Sequence, residues 1–271
     1  MKYATIFISF LVLIHLYLPA YAIGQSFTDA SPVMTKKLLK DFIHAHLVYP
    51  EKARENKTEG TVEIKFRIDE NGKIMDRWVK NSVSPEIDKS ALHLFDLIIW
   101  KPAKEYGIPV KSTGEFEILY HLKKYAKYVK SRGYDQINPE GFETDTSYTV
   151  YRLAQLTEPP TPITSKDYKG LNDFIISEMN YPEEAQRLGI KGSVALSFII
   201  EANGIPSNIF VEEYLGGGCC EESIRILKLV KWTPGVKDDL YVRTSYEMTI
   251  HFNPEGDHRT LHIPNQSNSG L

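Results

Sequence analysis

Cys219 and Cys220 are the two thiols of the chain, and they stand side by side. Neighbouring Cα atoms are about 3.8 Å apart, below the usual disulfide range, so a bridge between them would be strained. In an oxidising compartment three states stay open: free and buried at a helix start, bonded to each other, or paired between chains. Gly216-Gly217-Gly218 precedes them, and backbone amides at a helix start can hold an anion. No lysine partner or longer glycine loop accompanies the triplet, so relief of a tight turn explains it better. His44 and His46 are two apart on a predicted helix and do not share a face, which argues against a metal pair. Asp69-x-Asn71-Gly72 matches the start of a calcium loop, but the spaced glutamate is absent and the segment reads as a hairpin. There is no Gly-x-Ser-x-Gly, P-loop or His-Glu-x-x-His motif, and no cluster of acid, base and nucleophile. The expectation is a binding protein without metal or cofactor, not an enzyme.

The rest of the composition agrees. The 271 residues are 42% apolar and 25% charged, and the net charge is −3. Those values suit folded cores and give no basic excess for nucleic acid. No small-molecule substrate is indicated. Residues 1–22 read as a secretory signal peptide: Lys2, an apolar run Ile6–Leu18, then Ala20-Tyr21-Ala22 as the cleavage site. The alternative is an uncleaved inner-membrane anchor: Ala4–Ala22 is 19 residues, just long enough to span, and His15 and Pro19 weaken it. The expected location is the periplasm.

The residues that must position any site repeat themselves. A shift of 132 places residues 39–120 on 171–252 without a gap. Tyr49-Pro50-Glu51 falls on Tyr181-Pro182-Glu183, Gly60 on Gly192, Asn71-Gly72 on Asn203-Gly204, and Trp100-x-Pro102 on Trp232-x-Pro234. The predicted organisation is an N-terminal segment 23–34, a first domain 35–122, a linker 123–166, a second domain 167–254 and a disordered tail 255–271. The gapless offset predicts that each domain folds separately. Within the linker, Pro159-Pro160-Thr161-Pro162 reads as a semi-rigid spacer.

Each repeat reads as α-β-β-α-β. Apolar residues at helical spacing mark 35–47 and 167–179. Tyr-Pro stops the helix, because the residue before proline is pushed out of αR. Val62, Ile64, Phe66 and Ile68 alternate with charged residues as a strand, and Asn-Gly makes the hairpin turn. Ser84 and Pro85 start a second helix, and a last strand runs through Phe116, Ile118 and Tyr120. The fold class is α+β, with a three-stranded antiparallel sheet packed on helices in each domain.

The ordered set Tyr-Pro-x-x-Ala, Gly-Thr/Ser-Val, Asn-Gly and Trp-x-Pro, met twice, resembles the TonB C-terminal domain family. Gly216-Gly217-Gly218 followed by Lys231-Trp232-Thr233-Pro234 resembles the version common in Bacteroidetes. That version usually has an acidic residue where Cys220 stands; Asp88 keeps it. The resemblance implies an energy-transducer-like module that binds outer-membrane TonB-dependent receptors, or other envelope proteins. It implies that a receptor peptide adds to the edge of the last strand, where backbone bonds give affinity. The edge residues so implied are Thr113, Glu115 and Glu117, and Thr244, Ser245, Glu247, Thr249 and His251. Tyr49, Pro50, Gly60, Trp100, Pro102, Tyr181, Pro182, Gly192, Trp232 and Pro234 read as structural. The long Pro-rich rod of a full transducer is absent, which favours binding over force transmission. A membrane-anchored transducer and an envelope scaffold are the alternative readings, and pairing as a homodimer stays open.

Overall fold

The computed structural model describes residues 27–135, 141–164 and 168–253. The predicted signal peptide and the tail 255–271 lie outside them. Helices and several sheets mix along the chain, as the α+β reading expects. No helix among the described residues is long and apolar enough to cross a membrane.

The first repeat opens with α1 (Lys36–His46), capped by the Thr35 hydroxyl, which accepts from the Leu38 amide at 3.3 Å. Pro50 then caps α2 (Glu51–Glu55). Strands β1 (Gly60–Ile68) and β2 (Ile74–Asn81) form a hairpin, and α3 (Pro85–Asp96) follows with Ser84 accepting from Ile87. Strand β3 (Ser112–Tyr120) returns beside β1. The order is β2-β1-β3, all antiparallel. Val62, Ile64, Phe66 and Ile68 face inward and are buried against Ile87, Leu94 and Phe95 of α3. Burial of this apolar surface is the main term holding the unit together.

The second repeat has the same plan: α5 (Leu171–Glu178), α6 (Glu183–Arg187), β5 (Gly192–Ile200), β6 (Pro206–Glu213), α7 (Cys219–Leu229) and β7 (Leu240–Phe252). Its sheet departs from three antiparallel strands. Between the repeats run α4 (Leu122–Arg132) and then β4 (Val150–Tyr151), and β4 lies parallel to β7 on its outer side. Glu143–Thr144 also pairs in parallel with Leu240–Tyr241, and the sheet grows to six strands in all. The physical reason is an unpaired edge: the connecting chain passes it and satisfies its backbone groups.

The Pro-rich stretch before the second repeat is structured too. Pro162–Ile163 pairs with Lys231–Trp232, and the Thr233 amide donates to Thr161 at 2.8 Å. Ser31–Pro32 pairs with Trp100–Lys101 in the same way ahead of the first repeat. The repeated unit therefore starts earlier in each case than its first helix.

The shared motif residues hold equivalent places. Tyr49 donates its hydroxyl proton to the Thr58 carbonyl at 2.5 Å, and Tyr181 to the Ile190 carbonyl at 2.6 Å. Gly72 and Gly204 have φ of +84° and +77°, and a Cβ on either would strike the carbonyl of Trp100 or Trp232. Only glycine suits both the left-handed backbone and the close approach.

Candidate functional site

A strand edge is a row of backbone donors and acceptors, and the two last strands present theirs differently. On β3, Thr113, Glu115 and Glu117 are exposed on the outer face, while Ile118 and Tyr120 are buried on the inner one. Among the described residues β3 pairs with β1 and with no other strand. Its outer face is charged: Lys80 lies 2.6 Å from Glu63 and 3.0 Å from Glu115, with Lys65 3.8 Å from Glu115. The Lys80 ammonium holds the Glu115 carboxyl below its usual range. These exposed pairs contribute little stability, and they keep the edge polar.

On β7, Thr244 is fully buried and Ser245 half-buried beneath β4. The Ser245 hydroxyl donates to the Tyr151 carbonyl at 3.2 Å. Thr244 and Ser245 therefore sit where the chain's own connecting strand already lies. Glu247 is exposed, Thr249 is half-buried, and His251 pairs its Nδ1 with the Ser193 hydroxyl at 2.8 Å. The structure thus brings Thr113, Glu115 and Glu117 together on an open edge. It splits the second set between a covered start and a free remainder from Tyr246 to Phe252.

Sequence reasoning missed the residues that join the repeats. Arg243 is 3% exposed and lies 2.7 Å from the Glu201 carboxylate, itself 3% exposed. Its remaining donors reach the Leu97 carbonyl at 2.7 Å and the Tyr148 carbonyl at 3.1 Å. Asn208 donates to the same Leu97 carbonyl and accepts from the Ile99 amide, both at 2.8 Å. Ser207 donates to Glu201. A buried ion pair stands only when its other donors are met, and here the first repeat supplies one of the acceptors. An arginine among the apolar residues of a last strand was the available signal. At the perimeter, Lys228 lies 2.6 Å from Asp41, and Lys101 sits over the Phe210 ring at 4.1 Å.

His46 is buried at this junction, and burial pulls its imidazole down to about 4. Cys219 and Cys220 are free and buried. Burial pushes the Cys219 thiol up to about 11, against thiolate chemistry. No cluster of His, Cys, Asp or Glu among the described residues could hold a metal.

The pattern of matches with known proteins follows the repeats. The family model described as Gram-negative bacterial TonB protein C-terminal matches residues 45–122 and again 177–254, together more than half of the chain. The chain belongs to that family, with two tandem copies of its domain. Membership makes it a TonB-like envelope protein, in a family of binding and energy-transducing domains that interact with outer-membrane receptors. No curated protein matches the chain.

Proposed function

We propose that this chain is a periplasmic TonB-like module that captures an extended segment of an outer-membrane receptor by strand addition, and so contributes to TonB-dependent transport. The observation that carries the reading is the outer side of β3, which runs for nine residues without a strand partner among the described residues, in a domain of this family. Such an edge supplies backbone donors and acceptors in the spacing an extended peptide needs. The outer face of β3 is charged, which discourages indiscriminate pairing.

The test is a titration of a peptide from the plug side of such a receptor, with N-methyl groups placed on alternate amides. Removing the donors that face the sheet should abolish binding, and alanine replacements along the peptide should change it less. Equal loss from both N-methyl registers would argue for a side-chain pocket instead. Placement in the periplasm is read from Ala20-Tyr21-Ala22. Mass spectrometry of the native protein should find Ile23 at the N-terminus, and a retained Met1 would support the membrane-anchored reading.

A further inference from the structure

The two repeats carry the same hollow at the same register. In the second repeat a cavity of about 1130 Å³ runs over Ser197, Ser245 and Glu247. In the first, a hollow of about 480 Å³ lies on Lys65, Thr113 and Glu115, the residues 132 positions earlier. Their surroundings differ. Val150, Arg152 and Gln155 of the connecting stretch wall the second hollow, and Val150–Tyr151 is paired with Arg243–Thr244 alongside it. Beside the first hollow the chain supplies Asp29 and Ala30. The residues 132 positions before Val150-Tyr151 are Leu18-Pro19, within the predicted signal peptide, and a proline cannot donate to a strand ladder.

We infer that the connecting stretch is the resident strand of the second repeat, and that the open β3 edge of the first repeat is the one that takes a strand from another protein. This rests on the strand-addition reading above. The resident strand is also the template for the outside one: a β-branched residue, an aromatic, then a base. Arg152 borders the same cavity as Glu247. The first repeat keeps that acid as Glu115 and adds Glu117 two residues on, both exposed. The partner that fits is therefore an extended segment with an apolar–aromatic–basic sequence.

The test uses the full chain, labelled with ¹⁵N, and two probes. One is a synthetic peptide of residues 147–156 (SYTVYRLAQL) and the other is a plug-side receptor peptide. The expected result is amide shifts along Ser112–Tyr120 from both. Glu117→Lys should weaken both by about fivefold, the scale of one exposed charge pair. Thr249→Lys, the matching change in the second repeat, should leave them unchanged. Shifts confined to Tyr246–Phe252, or release of Val150–Tyr151, would overturn the inference while strand addition stood. Receptor binding at β3 without binding of the 147–156 peptide would overturn the sequence class. Shifts at neither strand from either peptide would remove strand addition itself. Shifts along β3 on simple concentration of the chain would assign that edge to another molecule of the same protein and overturn the inference.

Discussion

Cys220 stands where Asp88 stands in the other repeat, and it holds the equivalent backbone amide. The Asp88 carboxylate accepts from the Val83 amide at 3.0 Å. The Cys220 thiol accepts from the Leu215 amide at 3.3 Å and donates back to the Leu215 carbonyl at 3.2 Å. A weak acceptor thus replaces a strong one at the turn into α7. Cys220→Asp should restore the stronger acceptor and leave stability near the parent's. Cys220→Ala should cost about 1 kcal/mol, the net worth of a typical hydrogen bond. Urea unfolding of the two variants checks the pair. Both thiols should react slowly with a thiol reagent at pH 8 in the folded chain and fully after denaturation.

His46 predicts a pH dependence. Its folded value is about 4 and the unfolded value is about 6.5. Below about pH 6.5 the unfolded chain takes up a proton that the folded chain refuses. Stability should therefore fall as the pH drops from about 6.5 to about 4, by on the order of 3 kcal/mol. Burial is the main cause, reinforced by Arg243 and Arg132 and opposed by Glu201. His46→Gln should flatten that part of the profile, measured as the difference in unfolding free energy between parent and variant at each pH. Parallel profiles would remove His46 as the cause.

The pair Arg243–Glu201 predicts a large effect from one substitution. Arg243→Met leaves Glu201 buried without its cation and removes a donor from Leu97. The expected loss is about 3–5 kcal/mol, read by denaturant unfolding. Lys228→Ala, which removes the exposed pair with Asp41, should cost less than about 1 kcal/mol.

The connecting stretch predicts how fragments behave. A fragment of residues 141–253 keeps β4, the Arg243 bond to Tyr148 and the Ser245 bond to Tyr151. A fragment starting at residue 160 loses all three. Each should give dispersed amide signals, with the shorter one unfolding at lower denaturant. Equal midpoints would show that the added strand contributes nothing to the second repeat.

Gly72→Ala and Gly204→Ala should each destabilise by more than about 1 kcal/mol, because both the positive φ and the neighbouring tryptophan carbonyl reject a Cβ. Gly107→Ala, also at positive φ but with open space around it, carries only the backbone strain and should cost less. Thermal unfolding of the three variants checks the ranking.

The duplicated unit was legible because its markers obey local rules. Asn71-Gly72 fixes a turn, Ser84-Pro85 starts a helix, and Val62 to Ile68 alternate, and the structure places each accordingly. What joins the repeats was hidden by the repeat itself. Glu201 and Arg243 align with Asp69 and Lys111, and Asp69 sits in an exposed turn, accepting from the Asn71 and Lys73 amides at 2.9 and 2.8 Å, while Lys111 lies 3.9 Å from Glu70. Comparing the repeats thus presents a buried pair as ordinary surface charge. The two-residue strand Val150–Tyr151 is too short to show a period, and only the edge beside it gives it a conformation.

The Leu97 carbonyl, which accepts from both Arg243 and Asn208, also bears on mechanics. A tug on a segment seated along β3 would enter the first repeat and cross to the second through these short, water-poor bonds as well as through the peptide chain between them. The junction then acts as a second tether in parallel with the covalent one. Arg132 ties the end of α4 to carbonyls of the first repeat, and Val150–Tyr151 ties β4 to the second, so under such tension the load would be shared between those bonds and the contacts at Leu97 until one set gave way.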